Sequence, residues 1–180
     1  MWIRHSLLIL AVASLGATSF ARDRVAIGVS LGAFYPAQKK VRDALGSQWL
    51  AVGISPVDVN PDAKVEFSSD FQVLTRRKSG NRLLLINPSY GVTFRLSEDR
   101  EAKAAPYVSA RTGPVYMDYA IGSGATRISR RELGWGANAE VGIKFNKAAK
   151  AFVRYDTMTR SRGFQFDGVS VGLEVGVGRL

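Results

Sequence analysis

The 180-residue sequence contains no cysteine and one histidine, His5. Without thiols there is no disulfide framework and no thiolate metal centre. Without imidazole beyond residue 5 there is no Ser–His–acid relay, which needs a ring nitrogen to take and return a proton. No apolar run approaches the roughly 20 residues that a membrane-crossing helix requires. Low-complexity tracts, linkers and signs of a second domain are also missing.

The main apolar run is short and lies at the start. Arg4 precedes Leu7-Leu8-Ile9-Leu10-Ala11-Val12-Ala13, and Ser19-Phe20-Ala21 follows. A basic start, a brief apolar core and small residues before a break predict a secretory signal peptide over residues 1–21. His5 falls inside it. Residues 22–180 are then one exported domain, large enough for a real core. The 25 Lys and Arg outnumber the 15 Asp and Glu, for a formal charge of +10. A basic exported protein is expected to meet polyanions, anionic lipid or polysaccharide sooner than nucleic acid.

What remains is almost entirely period-two. Val25, Ile27, Val29 and Leu31 alternate with Ala26, Gly28, Ser30 and Gly32. The same alternation predicts further strands over residues 48–55, 64–74, 82–96, 107–116, 133–145, 149–159 and 166–180. Pro114 is expected to weaken the end of the fifth, since proline removes a ladder donor. Turn residues separate these runs, and residues 36–45 carry a short helical signal, with Pro36 near the start and Gly46 after the end. An all-β chain of about eight strands follows.

Alternation leaves two readings open, because a soluble barrel hides the Val face and a membrane barrel shows it to lipid. The runs reach the roughly 9–11 residues of a tilted membrane strand. The polar face is rich in Gly, Ser and Ala, which suits a narrow lumen where small residues make room for a few long charged side chains. Five acids lie on that face, Glu66, Asp70, Glu140, Asp156 and Glu174, against four bases, Arg95, Arg111, Lys144 and Arg154. Near-neutrality in a basic chain predicts that they pair in the lumen, with Arg154 or cations across the barrel as partners for Glu174. Acid/base chemistry by Glu66 with Asp70, or Glu140 with Glu174, is the other use of such carboxylates; ion pairing is the use expected here, so no catalytic, metal or cofactor residue is assigned.

The leader, the eight amphipathic strands and the closing stretch Ser170-x-Gly172-x-x-Val175-x-Val177 resemble the small outer-membrane β-barrel families of Gram-negative-type bacteria, the OmpA/OmpX/OmpW-like group. That group closes on a polar-x-Gly-x-x-aromatic-x-aromatic strand, and here valines stand where it has aromatics. The resemblance implies a closed antiparallel up-and-down transmembrane β-barrel in the outer membrane. It implies a monomer inserted by the assembly machinery, with membrane lipid as partner.

In such a barrel, connections one, three, five and seven face outward. They hold Lys39, Lys40 and Arg42 against Asp43, then Arg76, Arg77, Lys78 and Arg82, then Arg127, Arg130 and Arg131 against Glu132, then Arg160 and Arg162, and sum to about +10. The opposite turns sum to about −2. Basic outer loops of this kind predict contact with the phosphates or carboxylates of anionic lipopolysaccharide. The expected role is structural or surface-interacting, with a plugged lumen. The competing expectation is a conduit or carrier for a small apolar ligand, using the inward Phe34, Trp49 and Phe152, or a soluble lipocalin-like barrel of the periplasm.

Overall fold

A computed structural model describes residues 26–57, 64–97, 104–146 and 149–179. The expected signal peptide lies outside these residues, as do the acidic turns that contain Asp58, Asp62, Glu98, Asp99 and Glu101. Eight strands are described: β1 (Ala26–Pro36), β2 (Trp49–Val57), β3 (Val65–Lys78), β4 (Asn81–Arg95), β5 (Ala105–Ile121), β6 (Ile128–Asn146), β7 (Ala149–Met158) and β8 (Gly168–Arg179). Helix α1 (Lys39–Leu45) stands between β1 and β2. Each strand pairs antiparallel with the next, and β8 pairs back onto β1, so the barrel closes without a free edge.

Closure gives the alternation its meaning. The aliphatic face points out: Leu133 is 74% exposed, Val177 65% and Phe67 63%, with Leu31, Leu173, Val141 and Ile143 among their neighbours. Along β6 the outward apolar row runs from Leu133 to Phe145. Twelve steps of about 3.4 Å, tilted by roughly 40°, span about 30 Å, the thickness of a bilayer's hydrocarbon core. An exposed apolar belt of that height is a surface for lipid. A lipocalin-like carrier has the opposite polarity, so the soluble alternative is corrected here.

Strand five does not weaken at Pro114. It continues to Ile121, with Pro114 opposite Trp135 of β6. The gap is taken by the other seam: β4–β5 pairing stops at Ile86↔Tyr116 and resumes at Tyr90↔Thr112, opposite Pro88 and Pro114. Two prolines facing one seam leave the outer pairings of both strands continuous.

The glycines on the inner face also serve a different end from the one expected. A Cβ on Gly142 would sit 2.7 Å from the Tyr107 ring, one on Gly172 2.8 Å from Phe152, and one on Gly168 2.5 Å from Phe34. The bare face makes room for aromatic rings laid against the wall, and only partly for charged chains.

The inner space is layered. Towards the end that carries α1, it is filled by a buried apolar cluster that includes Phe34, Val41, Leu45, Trp49, Leu83, Met117, Tyr119, Phe164 and Phe166. Phe34 and Trp49 stack at 5.0 Å between centroids, and Tyr119 packs against Phe166 at 5.3 Å. Of the expected apolar-ligand residues, Phe34 and Trp49 are therefore packing partners of one another, whereas Phe152 lies outside this cluster, its ring against Gly172 and beneath Lys150 and Arg154. Below this plug lies a polar layer, and below that the charged one.

Candidate functional site

The charged layer is centred on Glu140 of β6, which is 1% exposed. Alternation turns Glu140, Asn138 and Lys144 inward together, and the register sets Glu140 beside Ser109 of β5 and Arg154 of β7. Arg154 Nε donates to Glu140 Oε2 at 2.8 Å, and its Nη1 donates to Asp70 Oδ2 at 2.5 Å. Arg154 Nη2 also lies 2.6 Å from Glu140 Oε2, an ion contact without hydrogen-bond alignment. Arg111 forks onto the same carboxylate, Nη1 to Oε2 at 3.2 Å and Nη2 to Oε1 at 3.4 Å, while its Nε donates to Ser68. The Tyr107 hydroxyl donates to Glu140 Oε1 at 2.7 Å. Buried charges persist where they are paired and hydrogen-bonded, and Glu140 meets both conditions.

The remaining inward charges stand at the edge of this hub. Lys144 lies 3.6 Å from Glu66 across the lumen. Glu174 meets Lys150 at 3.0 Å, and Lys150 also approaches Glu140 at 3.7 Å. The expected pairing of Glu174 with Arg154 is thereby corrected: Arg154 is already held by Glu140 and Asp70. Lys150 is absent from the expected set because it sits at the very start of β7, where alternation has only one neighbour to be read against. Asp156 stands outside these ion pairs; its Oδ2 accepts from Ser170, which in turn accepts from Gln72 at 3.3 Å. Arg95 is half-buried near the far end of β4.

The helix end is built differently. Six of the cations expected in loops, Arg76, Arg77, Lys78, Arg82, Arg130 and Arg131, stand on strands. The turn between β3 and β4 is only Ser79-Gly80, with φ of 50° and 79°, so both strands run to the turn itself. Arg76 points inward and its Nε donates to the Leu45 carbonyl at 3.0 Å. Arg42 donates to the carbonyls of Pro36 and Ala37. Arg127 donates to Gly80 O, and Lys40 lies 4.4 Å over the Phe164 ring. Arg160 donates to Gln165, and Arg162 is exposed. Lys39 donates to Asp43 at 2.7 Å; this bond, with the charge of Lys39 behind it, holds the Asp43 carboxyl below its ordinary value. The pair's contribution is complete above the ordinary carboxyl range and is lost as pH falls through the lowered one.

Two connecting residues escape sequence reasoning. Asn81 donates to Ala44 O at 2.8 Å and accepts from Gly122 N at 3.0 Å, joining three connections. Asp167 accepts from Met158 N, Thr157 and Gln165, while its own carbonyl accepts from Ala37 N. Asn81 opens β4 and Asp167 immediately precedes β8; both look like generic turn-flanking residues in sequence, and nothing local signals which distant backbone group they will reach.

A closed eight-stranded barrel with an apolar exterior and a buried charged interior is a transmembrane β-barrel. Its fold is that of the small outer-membrane β-barrels. The outer membrane enzyme PagL has a TM-score of 0.56 at 14% identity, covering 83% of this chain and 99% of that one. Ail of Yersinia pestis, in complex with the heparin analogue sucrose octasulfate, gives 0.56 at 12% identity over 87% and 98%. The N-terminal β-barrel domain of Pseudomonas aeruginosa OprF gives 0.56 at 10% identity, again over 87% and 98%. No family model and no curated protein matches the sequence. Identities this low carry the fold and not an activity.

Proposed function

We propose that this is an outer-membrane barrel with a plugged lumen and a structural or surface-interacting role, whose basic helix end faces outward and engages anionic glycolipid. The observation that carries the reading is the separation of two kinds of charge. Inside, acids and bases neutralise each other around Glu140. At the helix end, twelve cations stand against the four acids Asp43, Asp118, Glu132 and Asp167. Several of those cations are held by neutral carbonyl groups, which orient them and leave their charge uncompensated. Ail, of the same fold, has been crystallised with sucrose octasulfate, an anionic partner of the kind proposed.

Catalysis fits the interior poorly. The buried Glu140 carboxylate has Arg111, Arg154 and Tyr107 on its two oxygens and lies below an apolar plug. A conduit fits no better, because the same plug occupies the mouth.

The test is titration of the protein, held in phosphatidylcholine nanodiscs, with lipopolysaccharide at rising salt. Binding that weakens steeply with ionic strength is expected, since the attraction acts between solvent-facing charges. Absent binding, or binding indifferent to salt, overturns the reading.

A further inference from the structure

The geometry points to a lateral binding site for the phosphate of a membrane lipid, on the outer wall of β3–β6 and centred on Arg77 and Arg82. It rests on the anionic-lipid reading above and locates the contact on the wall instead of the loop tips. The type I′ turn at Ser79-Gly80 sets the register, and that register places Arg77 directly opposite Arg82. Both are exposed, and both lie on the outward face, since their neighbours Arg76 and Leu83 turn inward. Like charges directly opposite on one sheet face, with Cβ atoms about 5 Å apart, repel each other.

Among the described residues no carboxylate lies within ion-pair distance of Arg77. Arg82 reaches Asp118 at 3.4 Å, but Asp118 is shared with Arg131 at 3.1 Å. Two guanidinium groups thus share one carboxylate, and with Arg77 beside Arg82 the three arginines and Asp118 keep a net charge of +2. The side chains of Arg82 and Arg131 are 45% and 68% exposed, whereas Asp118 is 17% exposed beneath them.

The place of the patch selects its occupant. Asp118 is paired in register with Leu84, the first outward apolar residue of β4, and Leu133 follows Arg131 on the same face of β6. The arginines therefore stand at the margin of the lipid-facing belt, level with a headgroup layer. A phosphate there can bridge Arg77 and Arg82 through their paired N–H donors while its acyl chains lie along Leu84, Ile86 and Leu133. The repulsion between two opposed arginines becomes attraction to a shared anion.

The test uses the full protein in phosphatidylcholine nanodiscs, with bisphosphorylated lipid A and its dephosphorylated form as probes. Arg77→Ala is expected to weaken binding of the phosphorylated lipid about tenfold, with little change for the dephosphorylated one. Because Arg77 has no ion pair to lose among the described residues, the same variant should melt at an unchanged or higher temperature, an outcome that a merely structural arginine would not produce. Arg77→Ala/Arg82→Ala should lose more, whereas Lys39→Ala/Lys40→Ala/Arg160→Ala/Arg162→Ala, at the tips, should lose less. Unchanged binding in Arg77→Ala, with loss confined to the tip variant, overturns the wall site and leaves the anionic-lipid reading standing. If the wild-type protein does not distinguish the two lipids, both fail. Binding of inorganic phosphate or sucrose octasulfate with the same dependence on Arg77 overturns the assignment to a membrane lipid.

Discussion

At the scale of single residues, Glu140 is the position on which the interior turns. Replacing it by glutamine removes the charge that Arg111 and Arg154 both address and leaves two buried guanidiniums undercompensated. Breaking a buried pair in this way costs about 3–5 kcal/mol, and Glu140→Gln is expected to lower the denaturant midpoint accordingly. Glu174→Gln should cost less, about 1–2 kcal/mol, because Lys150 keeps its approach to Glu140. The ranking can be read from urea unfolding in detergent, with loss of heat resistance on unheated gels as a second readout. Equal losses would mean that the hub is spread over the layer instead of centred on Glu140. Gly142 offers a different probe. A methyl there would come within 2.4 Å of Ala151 O and 2.7 Å of the Tyr107 ring, so Gly142→Ala is expected to destabilise by about 1–3 kcal/mol. Alternation indicates that these residues face inward. It does not indicate which acid meets which base, because partners such as Asp70 and Arg154 lie 84 positions apart.

At the scale of elements, the strands and the short helix expected over residues 36–45 follow from local patterning, whereas the placement of that helix as a cap over the mouth does not. Helix α1 has seven residues and no side-chain N-cap bond, too short to persist alone. It is held by Val41 and Leu45 in the plug, by Arg76 on Leu45 O and by Asn81 on Ala44 O. Asn81→Ala removes two hydrogen bonds, worth about 1 kcal/mol each. Hydrogen exchange in residues 39–45 is expected to quicken by roughly tenfold or more, while β5 and β6 stay protected. Global loosening of the barrel would show instead that the cap and the wall form one cooperative unit. The fifth strand carries the lesson in reverse. Pro114 reads as a terminator within its own segment, yet the strand passes through it, because tertiary pairing offers β6 on one side and a proline-facing seam on the other.

At the scale of the whole molecule, closure turns an amphipathic pattern into an inside and an outside. An eight-stranded interior is just wide enough for side chains to fill, and here an apolar plug, a polar layer and a charged layer fill it in succession. Planar-bilayer recordings are therefore expected to show no steady open state. A stable ohmic conductance from the wild-type protein would sink the plugged reading.

Strand number, the inward and outward faces and the basic bias of one end were all legible in the sequence, since each depends on period-two alternation or on simple position along the chain. The mutual partners of the lumen charges, the plug of Phe34, Trp49, Tyr119 and Phe166, and the opposition of Arg77 to Arg82 were decided only by tertiary structure. Register and closure bring together residues far apart in sequence, and neither is encoded in any single strand. Alternation decides which way a side chain points; the barrel decides what it meets there.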